Sequence, residues 1–183
     1  MNIFVLDVNQ KVAAEMHCDT HCSKMILESA QMLSTASYVA SGKLKLFDNG
    51  NKKGHCISGA LSRIYRPDIR HIRHKCTVWV YESRDNFEWL IELALRLNEE
   101  KIYRTGRYHA STDVVKACER YGKYLPAIGL TPFAQAMPEE LRSKSNPVKA
   151  YRRYYISDKK HLLEYTRRDP PEWLRKHFEW ESF

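Results

Sequence analysis

Residues 19–41, DTHCSKMILESAQMLSTASYVAS, contain neither glycine nor proline and run directly into Gly42. No other stretch constrains the fold as strongly. Without a breaker, and with a residue suited to a left-handed C-cap at its end, it predicts a helix over 19–41. At about 100° per residue, His17, His21, Lys24, Glu28, Gln31 and Thr35 fall in one stripe roughly 80° wide. Met25 and Met32 flank the stripe on one side, Leu27 and Tyr38 on the other. A polar row so narrow and so hemmed in has two readings. It is a wet face carrying an i,i+4 Lys24–Glu28 pair, or it is the wall of a cleft, where a buried Lys and Glu must pair. The apolar flanks favour the cleft. Ser23, Ser34 and Ser37 lie on another side and are expected to face water.

Helical periodicity continues through most of the chain, predicting a mostly α protein. The expected architecture is a compact single-domain helical bundle over residues 1–183, with a short extended N-terminal segment at 3–6, IFVL. Further helices are expected over 10–16, 77–104, 111–123 and 147–166. In the second of these, Trp79, Phe87, Leu90, Ala94 and Leu97 share one face, and Glu99 and Glu100 should be solvated. Residues 43–57, which carry Asp-Asn-Gly-Asn, read as an exposed loop. Residues 125–147, with four prolines, read as an ordered loop with one helical turn at 138–142, and the aromatic tail from 169 should pack on the body. No apolar run is long enough for a membrane span or a signal-peptide core. Five cysteines, an odd number without an export signal, indicate reduced thiols and a cytoplasmic location.

Thirty Lys and Arg against 22 Asp and Glu give a net charge of +8, which favours a polyanionic partner, nucleic acid foremost. Two segments concentrate the charge. Residues 63–75, RIYRPDIRHIRHK, offer Arg63, Arg66, Arg70, Arg73 and His74. The YRRYY at 151–155 offers Arg152 and Arg153 for phosphates, with Tyr151 and Tyr155 for stacking on bases. Because 151, 154 and 155 share a helical face, those tyrosines can equally be core anchors with the arginines outside. His17/His21, Cys18/Cys22, His55-Cys56 and His74-x-Cys76 supply ligand types, but no CxxC or HExxH spacing occurs. Neither a metal nor a cofactor is expected, and a Cys–His nucleophile has no local support.

The set MNIFVLD, HCDTHCSKMILESAQMLSTA, HKCTVWVYES-x3-FEWL, PFAQAMPEE, AYRRYY and PPEW resembles a family of small proteins of tailed phages across nearly the whole chain. One departure is His74-Lys75, where members usually read His-Pro. A weaker resemblance, covering under half the chain, reaches the pyrimidine-dimer DNA glycosylase (endonuclease V-like) family. It is carried by Asp19, His21, Lys24, Glu28, Gln31 and Leu33, followed by a basic His segment and a Trp-containing helix. That resemblance implies a mostly helical fold, DNA rather than RNA as partner, and base excision by an amine nucleophile with a helix-borne glutamate, together with lyase activity at abasic sites. Glu28 would be the glutamate. Asn2 is bulky and disfavours removal of Met1, so the amine falls on Met1, on Asn2 if Met1 is removed, or on Lys24. Lys24, His21, Asp19 and His17 would orient or titrate around Glu28, with His74 as a partner. Trp79, Trp89 or the 151–155 tyrosines would line a pocket for a flipped base. Two alternatives stand beside this: a non-enzymatic nucleic-acid-binding or host-takeover protein, and an enzyme acting on nucleotides or modified bases.

Overall fold

The computed structural model describes residues 1–48 and 53–178. Seven α-helices, three short 3₁₀ helices and one small antiparallel sheet account for the regular structure of these residues. Helix α1 (Gln10–Met16) starts where Asn9 Oδ1 accepts the Val12 N–H, a side-chain N-cap. Helix α2 (Asp19–Ala40) follows the expected bounds within a residue, and Gly42 adopts φ 69° just beyond it. Strands β1 (Leu44–Asp48) and β2 (Lys53–Ile57) come next, then α3 (Lys75–Glu82), α4 (Arg84–Thr105), α5 (Ser111–Cys118), α6 (Pro147–Asp158) and the short α7 (Glu172–Arg175).

Helix α2 is the axis of the molecule, packing against α3, α4 and α5, while α1 lies on α4. The face of α3 and α4 carrying Trp79, Phe87, Leu90, Ala94 and Leu97 is buried as expected. The N-terminal segment is not a strand. Ile3, Phe4, Val5 and Leu6 thread into the core as irregular chain, and Phe4 is held at φ 32°. A non-glycine residue there costs on the order of 1–3 kcal/mol. Packing offsets that cost, because the Phe4 ring stacks on His21 at 4.5 Å and meets Tyr155 edge-on at 5.3 Å.

Several expectations are corrected. The stretch over 77–104 is two helices, because Ser83 leaves helical geometry to cap α4 through the Asp85 N–H and to donate to the Gly129 carbonyl at 2.6 Å. The 43–57 loop is the β1–β2 hairpin, with Leu44 opposite Ile57 and Leu46 opposite His55. Its Asn-Gly lies outside the described residues, as do Trp180 and Phe183 of the tail. The last long helix stops at Asp158 instead of 166, and one 3₁₀ turn (Lys160–Leu162) follows. Glu100 is buried, gripped by Arg104 at 2.7 Å and by both ends of the Arg168 guanidinium at 2.8 and 2.7 Å. Ser34 and Ser37 are buried too, each donating to a carbonyl one turn back in α2. Trp173 and Phe178 of the tail do pack on the core.

No helix among the described residues is long and apolar enough to cross a membrane. The cysteines are free thiols, and all but Cys56 are buried.

Candidate active site

The polar stripe of α2 divides into two halves. Toward the N-terminal end it is core. His17 precedes the helix, is fully buried, and pairs Nδ1 with the Ala13 carbonyl at 2.6 Å. His21 pairs Nδ1 with the Tyr155 hydroxyl at 2.5 Å beneath Phe4. Burial pushes His17 down to about 4 and His21 down to about 3, so both rings are neutral near pH 7. Asp19 meets Arg104 at 2.9 Å and accepts from the backbone N–H and hydroxyl of Thr166, tying the C-terminal segment to the start of α2. The expected titrating roles of His17, His21 and Asp19 give way to structural ones, since both rings are buried and neutral near pH 7 and Asp19 is bound to Arg104 and Thr166. His21 does contribute to the floor of the cleft described next.

The second half of the stripe opens outward. Glu28, 14% exposed at its side chain, accepts the backbone N–H of Asn2 on Oε2 at 2.8 Å. The Met1 amino group lies 3.8 Å from the same oxygen, and Lys24 Nζ lies 3.9 Å from Oε1. These two amines differ in how firmly they are held. Lys24 is 60% exposed, and an i,i+4 pair on such a face is worth only about 0.3–0.5 kcal/mol. Met1 is fixed by its neighbour. The buried Asn2 side chain donates to the Ala136 carbonyl at 2.8 Å and accepts from the Tyr151 hydroxyl at 2.8 Å and the Ile3 N–H at 2.9 Å. Asn2 is therefore a positioning residue that delivers the Met1 amine to Glu28.

Around this group lies a cleft of about 510 Å³. Phe4, His21, Met25 and Met137 contribute apolar and ring surface, while Lys24, Lys75, Arg142 and Lys159 supply cations. Glu28 is the one carboxylate among its described lining residues. His74 also borders it. As the N-cap of α3 it accepts the Cys76 N–H on Nδ1 at 3.2 Å, which leaves the proton of a neutral ring on Nε2. Burial, then the Met1 ammonium, His71 and Lys75, push the ring below the usual histidine range. Met1 also borders a second, smaller concavity on the other side, about 300 Å³, formed with Leu27, Gln31, Thr35, Tyr65, Arg66, Asp68 and His71. The start of the chain is thus a partition between two hollows.

The expected nucleic-acid residues scatter. Tyr151 and Tyr155 are fully buried, which corrects their stacking role: the shared i, i+3, i+4 face is a core face. Trp79 and Trp89 are core residues as well, donating to the carbonyls of Thr131 and Val8. Arg152 donates to the Leu6 carbonyl, pairs with Asp7 at 3.2 Å and lies 5.5 Å over the Trp173 ring, so it clamps the N-terminal segment instead of waiting for phosphate. Arg70 is engaged in a two-pronged pair with Asp68, whose carboxyl it holds well below the usual range. Arg73 braces the hairpin through the carbonyls of Phe47 and Gly54. Arg153 is exposed and touches the Leu141 carbonyl. Arg63 and Arg66 are exposed, Arg63 at φ 61° beside a groove with Tyr65 and Lys116, Arg66 at the rim of the smaller hollow.

Sequence reasoning missed Lys75, Arg142 and Lys159 as cleft residues, while of the 151–155 tyrosines expected to line a pocket Tyr154 does border this cleft. Lys75 sat inside a segment already singled out, whereas Arg142 caps the single 3₁₀ turn Glu139–Leu141, too short for a periodic pattern to place its side chain.

A thiol nucleophile finds no support. Burial pushes Cys22 and Cys76 up to about 12 and Cys118 up to about 11. Among the described residues, no three His, Cys, Asp or Glu side chains gather as a metal site. Comparison of the chain with family models, with curated proteins and with solved structures gives no match that would assign it a family.

Proposed function

We propose that the protein is a DNA-acting, base-excising enzyme with lyase activity at abasic sites, in which Glu28 and the Met1 amine form the reacting pair. Kinship with small tailed-phage proteins and with the pyrimidine-dimer glycosylases belongs to the same proposal, as does a compact helical bundle as the scaffold. One observation carries the reading: a carboxylate fixed by a backbone N–H, 3.8 Å from an amine, in a cleft whose other charged side chains are cations. The cations suit the phosphates on either side of a target nucleotide.

The chemistry then runs as follows. Glu28 takes a proton from the Met1 ammonium, and the freed lone pair attacks C1′ of the sugar. The C1′–N bond to the base breaks, its electron pair leaves with the base, and the base takes up the proton that the amine sheds once the N–C1′ bond has formed. Opening of the C1′–O4′ bond, with proton delivery to O4′ from Glu28, gives an imine between Met1 N and C1′. Loss of a C2′ proton expels the 3′ phosphate, and water releases the amine. A carboxylate this close also stabilises positive charge on the sugar as the base departs.

Borohydride should trap the imine as a secondary amine on the N-terminal peptide, seen by mass spectrometry. An adduct on Lys24 instead would place the nucleophile on α2, one turn before Glu28. Adding one alanine before Met1 should abolish trapping. Unaltered base release by a folded Glu28→Gln protein would remove the proposal.

A second reading, an enzyme acting on free nucleotides, is favoured by the size of the cleft, about 510 Å³, which suits a single small ligand. It requires that mononucleotides raise the melting temperature more than an oligonucleotide at equal phosphate concentration.

A further inference from the structure

We infer that the smaller hollow beyond Met1, between α2 and the 65–71 segment, is a nucleobase subsite in which Gln31 reads the hydrogen-bonding edge of the base. The inference rests on the excision reading for its catalytic meaning but not for its binding chemistry. Four observations converge on it.

The first is size. At about 300 Å³ the hollow sits at the lower limit of ligand pockets, room for one ring system and not for a whole nucleotide. The second is the character of its walls. Met1 and Leu27 provide apolar surface, and Leu27 is 39% exposed, an unusual state for a leucine on the central helix. The Tyr65 ring closes the other side and is tethered at both ends. Its backbone N–H donates to Ser34 Oγ at 3.3 Å, and its hydroxyl pairs with Ser111 Oγ at 3.0 Å. An aromatic wall held this way loses little freedom when a flat ring meets it.

The third observation is polar commitment. Thr35 donates to the Gln31 carbonyl at 3.0 Å, and Asp68 is occupied by Arg70 and His71. The Gln31 amide, by contrast, makes no hydrogen bond to another described residue. It presents a donor and an acceptor side by side, the pattern that matches a base edge in a bidentate contact. The fourth is adjacency. Met1 borders both hollows, so a nucleotide with its phosphates among Lys24, Lys75 and Lys159 and its base against Gln31 would have its sugar at the Met1 amine. That placement also explains why the buried Trp79, Trp89, Tyr151 and Tyr155 are not needed as a base pocket.

The test uses the full chain, with adenosine, guanosine, cytidine and thymidine as probes in ligand-observed saturation-transfer NMR and ribose 5-phosphate as the base-free control. At least one nucleoside should bind, and Gln31→Ala should weaken it roughly tenfold, with a much smaller effect on ribose 5-phosphate. Gln31→Glu, which keeps the size but replaces the donor by a second acceptor, should change the order of preference among the four. Circular dichroism melting confirms that both variants are folded.

In the catalytic arm, the loss caused by Gln31→Ala on a base-bearing strand should exceed its loss on a preformed abasic strand by about tenfold, because the abasic strand has nothing to place in the hollow. No nucleoside binding by the unaltered protein overturns the inference, and so does equal binding by the unaltered protein and Gln31→Ala. If the nucleoside result holds while no strand is ever excised, the subsite stands and the excision proposal falls.

Discussion

The two halves of the α2 stripe carry similar residue types and are used in opposite ways. At one end, His17 and His21 pair with Ala13 and Tyr155, Asp19 beside them but off the stripe binds Arg104 and Thr166, and the histidine rings are buried and neutral near pH 7. At the other, Lys24, Glu28 and Gln31 face hollows, and their partners are an N-terminus and a flexible ammonium. What separates the halves is what other parts of the chain lay over them. Phe4 and α6 cover the first half and leave the second uncovered. A polar residue on a helix becomes a structural strut or a chemical group according to that cover, not according to its own type.

The largest expected effect tests the open half. Glu28→Gln should lower base release by about 10²–10⁴-fold, read as abasic sites formed per unit time, with unfolding by urea changed by less than about 1 kcal/mol. A large stability loss would place Glu28 with the struts and erase the contrast.

Next comes the covered half. Arg104→Ala leaves Glu100, which is 5% exposed, with Arg168 as its one guanidinium partner, and removes the buried bonds to Asp19 and to the carbonyls of His17 and Glu15. A loss of about 3–5 kcal/mol in urea unfolding is expected.

Acid should act on the same half. Both histidines lie below their unfolded value of 6.5, at about 4 and about 3 in the folded chain. As pH falls, the unfolded chain therefore takes up protons first, and stability present above about 6.5 is lost on the way down. Between pH 7 and pH 5 the loss is on the order of 2 kcal/mol for each ring, measurable as a falling urea midpoint. A flat midpoint over that range would show that the rings are not dry.

Tyr155→Phe should cost about 1–3 kcal/mol by leaving the buried His21 Nδ1 without its partner. The smallest effect on stability belongs to Lys24→Met, within about 0.5 kcal/mol, while weakened DNA binding with a shallower salt dependence would mark Lys24 as a phosphate contact.

Much of this division was out of reach of the sequence, for a physical reason. Helical spacing is local, so the stripe, the bounds of α1 and α2 and the buried face running from Trp79 to Leu97 could be read from it. The hairpin was masked by its turn residues, although Lys43-Leu44-Lys45-Leu46 alternates with period two, as a half-buried strand does. Ser83 was hidden inside a continuous helical pattern, because a cap is visible only when the chain turns there. Glu100 looked solvent-bound because its partner Arg168 lies far along the chain. The insertion of IFVL over His17 and His21, and the Asn2 anchor that brings Met1 to Glu28, are long-range events with no periodic signal. Glu28 itself was legible as a residue, but its partner amine was not.

The Asn2 anchor has a consequence in time. Its bonds go to Ala136 and Tyr151, 134 and 149 residues further along the chain. A ribosome adding about 5–20 residues per second delivers those partners on the order of 10 s after Met1 has emerged. Until then Phe4 has no α6 to pack beneath and Glu28 has no fixed amine. The contact between the Met1 amine and Glu28 thus has no fixed geometry in a nascent chain and gains it only when Asn2 meets Ala136 and Tyr151.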